Sequence, residues 1–413
     1  MSSPPSRGLF TILVLLFATY VFGKFQGGFV SWFIFYAYLP VASVSLFQYF
    51  FGLSGVTVTR KVDKTRCVAG EALEVTLVIH NPYRLPLVYL VLKDHLPAKL
   101  KARTSGPELV VHPWFKRAFK VTYQIENLPR GSYQWQRLEL LTGNWFGLIS
   151  CSKTVEEKQT LLVYPRYQEI VSWSIGNDLH SGMVRAARVK KREETASVIG
   201  ARDYAPGDRL ARIHWKASAK SAGLKTKEFE HQVSHDVMLF LDRERQAYGD
   251  EEHPLFEMAV SLAASLARYA LKHRFSCGLV SYGQTPVVLP PRRESEQLYR
   301  IFEHLAHVKA DATYAFGNTV LREVVHLPRG TTAVMLSPVL NKQMAMLLAD
   351  LSYRKMKAAF FWIKGGREAS PAEQQYLLLL HKEGIPVYMI ASASFPSRLS
   401  RSEIDASFAQ TPS

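Results

Sequence analysis

The chain has 413 residues, more than one ordinary core holds, so two or three domains are expected. Its 47% hydrophobic and 21% charged residues exclude a disordered polypeptide, and a net charge of +16 turns attention to acidic partners such as nucleic acid, anionic lipid or acidic protein. The three cysteines, Cys67, Cys151 and Cys277, are widely spaced and odd in number, which excludes a disulfide framework and a zinc cluster.

No charged residue occurs from Leu9 to Gly23 or from Phe25 to Thr59. About 20 apolar residues suffice to cross a hydrocarbon core of roughly 30 Å. Residues 1–55 are therefore expected to form a transmembrane helical hairpin turning at Gln26-Gly27-Gly28. A cleaved signal peptide fits less well, because no Ala-x-Ala-like site precedes Lys24 and a second apolar run follows at once. Arg60, Lys61, Lys64 and Arg66 follow the second run, against Lys24 in the loop and Arg7 in the tail. The positive-inside rule then predicts a two-pass protein of the cell membrane with both termini and the soluble domains in the cytoplasm.

Residues 56–168 alternate in the manner of strands, as in "LEVTLVIHN", "FKVTYQIE" and "YQWQRLELL", with turns at Asn81-Pro82, Leu96-Pro97 and Pro129-Arg130-Gly131. Short strands at near-regular spacing predict an antiparallel β-sandwich. Residues 169–234 read as a linker and a distinctive junction. From 235 to 395 continuous apolar strands such as "HDVMLFLD", "CGLVSYG", "TTAVMLSP" and "KAAFFWIK" alternate with amphipathic helices. That order predicts a doubly wound α/β domain with a parallel sheet. Residues 396–413 read as a loose tail.

The junction "GARDYAPGDRLARIHWKASAKSAGLKTKEFEH" is the chain's most unusual stretch. Ala205-Pro206-Gly207-Asp208 is a good turn sequence, and Asp208 is expected to cap a helix starting at Arg209-Leu210. Leu210, Ile213 and Ala217 would form its buried stripe, and Trp215 would need a second packing partner. Arg202, Arg209 or Arg212 are expected to pair with Asp208, Glu228 or Glu230.

Catalytic patterns are missing: there is no phosphate loop, no Gly-x-Ser-x-Gly elbow and no His-Glu-x-x-His. His304 and His307 share a helical face but lack a nearby third ligand. The basic run Arg185, Arg188, Lys190, Lys191 and Arg192 is expected to meet anionic lipid or a protein partner. Without interleaved aromatic residues it offers nucleic acid no stacking platform.

The junction resembles the bacterial family known as domain of unknown function 58, through Gly200, Arg202, Tyr204, Gly207, Asp208, Arg212, Ile213, Trp215 and Lys216. "NLPRGSYQWQRLELLTGNWFGL" resembles the family's Arg-Gly-x-Tyr strand and Phe-Gly turn. The resemblance implies that the α/β domain is von Willebrand factor A-like. Such domains bind a divalent metal through Asp-x-Ser-x-Ser; here Asp242 is followed by Glu244 and Gln246, so the site is expected to be degenerate. Asp242, Glu244 and Thr313 are its remaining candidates, and no cofactor is expected. The resemblance also implies a MoxR-type AAA+ ATPase and a transglutaminase-like membrane protein as partners. The expected function is a non-catalytic membrane-anchored adaptor or scaffold in envelope-related or complex-assembly processes. Its partner surface would comprise Arg202, Tyr204, Gly207, Asp208, Arg212, His214, Trp215 and Lys216. Two alternatives stand beside it: a module binding acidic lipids through the basic run, and a metal-dependent hydrolase using Asp203, Asp208, His214 and Asp242.

Overall fold

The computed structural model describes residues 5–82, 87–104, 106, 108–144, 149–173, 198–205, 208, 210, 213–220, 223–229, 236–250, 253–328, 330–354, 356–392 and 398–399. The chain divides into two compact units, Met1–Arg166 and Tyr167–Ser413.

The first unit opens with helices α1 (Pro5–Gln26) and α2 (Gly28–Phe51), which pack against each other. Each contains a span long and apolar enough to cross a membrane, Gly8–Gln26 and Gly28–Phe51, and most of both spans is exposed. An exposed apolar surface is what a helix in lipid presents, and it distinguishes these helices from the buried core helix of a soluble protein.

Eight strands follow: β1 (Thr57–Val62), β2 (Arg66–Val68), β3 (Leu73–His80), β4 (Leu90–Asp94), β5 (Glu108–Val111), β6 (Ala118–Ile125), β7 (Gly131–Gly143) and β8 (Ser150–Tyr164). They form a three-stranded sheet in the order β1-β3-β6 and a five-stranded sheet in the order β2-β8-β7-β4-β5. Alternation along β3 turns Leu73, Val75, Leu77 and Ile79 into one core, which they share with Leu90, Leu92, Leu138 and Leu140 of the other sheet. The pairing departs from the wholly antiparallel expectation, because β2 runs parallel to β8 with Cys67 beside Val163. Beyond Val68 the backbone is tied by Ala69 N–H to Tyr164 O at 2.8 Å and Gly70 N–H to Leu128 O at 2.8 Å.

Arg60 of β1 crosses this core to Asp94 of β4. Its Nε and Nη2 donate to the two carboxylate oxygens at 3.0 and 2.6 Å, and Tyr123 Oη of β6 donates to Asp94 at 2.7 Å. Both members of the ion pair are buried. Arg60 is thus neutralised inside the protein, and Lys61, Lys64 and Arg66 are the exposed cations that follow α2.

The second unit contains β9 (Ser172–Trp173), β10 (Val198–Asp203), β11 (Lys225–Phe229), β12 (Asp236–Leu241), β13 (Ser276–Ser281), β14 (Val287–Arg292), β15 (Thr332–Ser337), β16 (Lys357–Ile363), β17 (Val387–Ile390) and β18 (Arg398–Leu399). Its main helices are α3 (Pro254–Lys272), α4 (Ser295–His307), α5 (Phe316–Val324), α6 (Lys342–Tyr353) and α7 (Pro371–Lys382). A six-stranded sheet runs β14-β13-β12-β15-β16-β17, parallel throughout except for the antiparallel edge strand β14. Side chains of alternate residues leave the sheet on opposite faces. Phe240, Met335, Phe360 and Trp362 share a core with α5, α6 and α7, while α3 packs with α4 and against β12, β13, β15 and β16. The sheet is therefore mixed α/β, with a central strand, β12, whose neighbours come from different parts of the chain. Helix α5 falls in a stretch that sequence reasoning leaves without an element.

Candidate functional site

The junction folds as an antiparallel two-stranded ribbon of β10 and β11, with Arg202 opposite Thr226 and Asp203 opposite Lys225. Tyr204 N–H donates to Leu224 O at 2.9 Å and His214 N–H to Lys225 O at 2.7 Å, so Tyr204 and His214 are both tied to the chain where it enters β11. Asp208 N–H donates to Ala205 O at 3.0 Å, and its carboxylate accepts from Ala205 N–H at 3.1 Å. These two bonds close the expected turn. The same carboxylate accepts from Arg202 Nη2 at 2.7 Å and Thr226 Oγ1 at 3.3 Å. The Arg202 hydrogen bond and then the Ala205 N–H hold the Asp208 carboxyl below its ordinary pKa.

Arg209 and Ala211, in the stretch where a helix is expected, lie outside the described residues. A helical turn is described at Trp215–Ser218, and its N-cap is His214, whose Nδ1 accepts from Ala217 N–H at 3.2 Å. The Asp208 oxygens are engaged by Arg202, Ala205 and Thr226. Ile213 is buried against Thr226, but Leu210 and Trp215 are each 68% exposed, so the expected buried stripe does not form. Lys216 is exposed as well. Of the expected ion pairs, Arg202 with Asp208 is present, joined by Lys225 with Asp203 at 2.7 Å. Gly207, Arg212 and the run Arg185, Arg188, Lys190, Lys191 and Arg192 lie outside the described residues.

The other candidate position is the carboxyl end of the central strands. In an open α/β sheet the crevice forms there, where the connections diverge to opposite sides. Asp242 follows β12 and is fully buried; its Oδ2 accepts from Ser337 Oγ at 2.6 Å and its Oδ1 from Glu244 N–H at 2.8 Å. Burial pushes its carboxyl up to about 7, although the Ser337 and Glu244 hydrogen bonds pull the other way. Glu244 is directed elsewhere, accepting from Phe316 N–H at 3.1 Å at the start of α5. Thr313 is exposed. The residues at this end of the sheet are thus committed to each other: Arg243 is buried against Asp311 at 2.6 Å and donates to Lys309 O at 2.8 Å. Burial first, then Arg243, lowers the pKa of His304 to about 4. Among the described residues no group of three or more His, Cys, Asp or Glu is placed to hold a metal ion. Asp203, Asp208 and His214 sit in the ribbon, and Asp242 belongs to the sheet; Asp203 and Asp208 are each tied to a different cation.

Sequence reasoning missed Ser337 as the partner of Asp242 and Asp311 as the partner of Arg243, which lie 95 and 68 residues away. Ser337 did stand in a visible position, at the end of an apolar strand run.

The family described as "Protein of unknown function DUF58" matches residues 200–360. "Uncharacterized protein YeaD" of Bacillus subtilis (strain 168) is 32% identical over 307 residues, which make up 74% of this chain and 75% of that relative. The CARDB domain of the PF1109 protein from Pyrococcus furiosus aligns at 11% identity with 26% of this chain and 91% of its own, at a TM-score of 0.19. Cwp6 from Clostridium difficile aligns at 10% identity over 83% of this chain and 50% of its own, also at 0.19. At such scores neither structure carries an argument about fold.

Proposed function

This chain belongs to the DUF58 family of proteins of unknown function, and from that premise we propose that it is a non-catalytic, membrane-anchored adaptor for a MoxR-type AAA+ ATPase. The observation that carries the reading is a contrast within the ribbon. Arg202, Asp208 and Thr226 lock its backbone, whereas Trp215 stands 68% exposed beside the exposed Lys216. A large aromatic residue on a fixed turn is costly to leave in water and is the residue type that most often anchors an interface. A cation beside it suits an acidic partner surface.

In this reading the eight-stranded region is a β-sandwich and the α/β region is von Willebrand factor A-like with a degenerate metal position. The commitment of both Asp242 oxygens and of Glu244 to hydrogen bonds supports the second point. Exposed Lys61, Lys64 and Arg66 after α2 favour a cytoplasmic position for the soluble part. A transglutaminase-like membrane protein is proposed as a further member of the assembly.

The test is recovery of the tagged full-length protein from detergent, with and without ATP, followed by mass spectrometry of what it retains. A AAA+ ATPase is expected with the native chain. The Trp215→Ala/Lys216→Glu variant is expected to bind about 30-fold more weakly, equivalent to the ~2 kcal/mol of an interface anchor, with an unchanged melting curve. Equal recovery by the variant would move the surface elsewhere. No ATPase with the native chain in either condition would remove the adaptor reading.

A further inference from the structure

Helix α2 carries two buried polar side chains in its second half, Ser45 and Gln48, within an uncharged span. Both reach the far end of the β7–β8 hairpin in the same compact unit. Gln48 Nε2 donates to Gly143 O at 2.9 Å, and Asn144 Nδ2 donates to Ser45 Oγ at 3.0 Å. Across the hairpin, Asn144 N–H donates to Ile149 O and Ile149 N–H donates to Asn144 Oδ1, each at 3.2 Å. Ile149 is buried in a cluster with Ile12 of α1 and Ala42 of α2.

These contacts set a depth. Ala42 stands nine residues before Phe51 at the end of α2, or about 14 Å at roughly 1.5 Å per residue. A helix of 24 residues is about 36 Å long against a hydrocarbon thickness of roughly 30 Å, which places Ala42 about 11 Å inside the near face. Ile12, four residues into the span that starts at Gly8, gives about 6 Å by the same rise. The residues that grip Ile149 therefore lie below the headgroups. A hairpin end at that level has no water for its backbone groups, so they must be satisfied by protein. Gln48 satisfies Gly143 O and Asn144 Oδ1 satisfies Ile149 N–H, while Ser45 Oγ holds the Asn144 amide. The chain from Asn144 to Ile149 also carries no charge.

We propose that Gly143 and Asn144 at the end of β7, with Ile149 and Ser150 at the start of β8, form a third membrane-embedded element, seated beside α1 and α2 in the near leaflet with lipid acyl chains as its partner. This rests on the reading of α1 and α2 as membrane-spanning, and the test separates the two. Single cysteines for nitroxide labelling are placed by Ser150→Cys, Tyr36→Cys and Glu156→Cys in the full-length chain carrying Cys67→Ala, Cys151→Ala and Cys277→Ala. Each protein is reconstituted in phosphatidylcholine–phosphatidylglycerol vesicles, and power-saturation EPR compares access of oxygen with access of a water-soluble nickel chelate.

Tyr36 reports on α2 itself, and Glu156 lies about 20 Å along β8 from Ser150 at roughly 3.3 Å per residue. The expected result is an oxygen-to-nickel ratio at Ser150 and Tyr36 several-fold above that at Glu156. A nickel-accessible label at Ser150 with a shielded one at Tyr36 overturns the embedded hairpin and leaves the spans standing. Nickel access at Tyr36 overturns both. Adding Gln48→Leu to the Ser150→Cys protein is expected to raise nickel access at Ser150 and leave Tyr36 shielded. An unchanged Ser150 label removes Gln48 from the seating of the hairpin.

Discussion

Gly131 and Tyr133 form a short motif with a local cause. Gly131 has φ +145°, and a Cβ there would stand 3.3 Å from the Tyr133 ring. The Tyr133 hydroxyl meanwhile donates back to Pro129 O at 2.9 Å. Glycine is needed for both the backbone angle and the ring's close approach. Gly131→Ala is expected to cost about 1–3 kcal/mol, read as a lower thermal midpoint of the full-length protein in detergent. All three residues are neighbours in sequence, so the motif was legible there. The Arg60–Asp94–Tyr123 group was not, since its members are 34 and 29 residues apart. Arg60→Met leaves a carboxylate buried without its cation and is expected to cost about 3–5 kcal/mol. The double variant Arg60→Met/Asp94→Leu should recover part of that loss in the same melt, because no charge is then stranded.

Among the elements, the apolar strands and long helices of the α/β sheet follow the sequence pattern closely, whereas helix α5 does not. Helix α5 buries Phe316, Thr319, Val320 and Val324, an i, i+3, i+4, i+8 pattern that was available but short, with Gly317 and Asn318 weakening it. In the family segment Ile213 and His214 pair with β11, which buries Ile213 while Leu210 stays exposed. The end of β12 has a pH signature. The fold raises Asp242 from 3.8 to about 7, so the folded protein keeps a proton that the unfolded chain releases. That contribution to stability is fully present below the ordinary carboxylate pKa and is lost as pH rises through about 7. His304, lowered from 6.5 to about 4, acts in the opposite sense: its contribution is present above 6.5 and lost as pH falls through about 4. Chemical denaturation of Asp242→Asn beside the native chain cancels the histidine. The variant's relative stability is expected to climb as pH rises from 5 through about 7 and to level off above it.

At the scale of the whole molecule, the two long apolar helices also cover part of the strands that follow them. Ile12 and Ala42 cover Ile149, and Lys153 Nζ donates to Val56 O at 2.8 Å just past the helix end. A chain starting at residue 56 loses that apolar cover, worth about 1.5–3 kcal/mol for a side chain of this size. It is expected to melt lower than the full-length protein and to self-associate through the bared hairpin, which sedimentation velocity reads directly. A monodisperse monomer of undiminished stability would show that the cover contributes nothing.

The sequence by itself determined the apolar spans of α1 and α2, the strand-rich and α/β regions, and the family segment at 200–231. Each of these rests on periodicity, composition or adjacent residues, which a linear chain displays. Tertiary structure decided the burial of Arg60 by Asp94, the diversion of Glu244 to α5, the exposure of Trp215 and the seating of the β7–β8 hairpin against Ser45 and Gln48. Those outcomes depend on which distant backbone and side-chain groups meet once water is excluded. Sequence separation carries no record of that meeting.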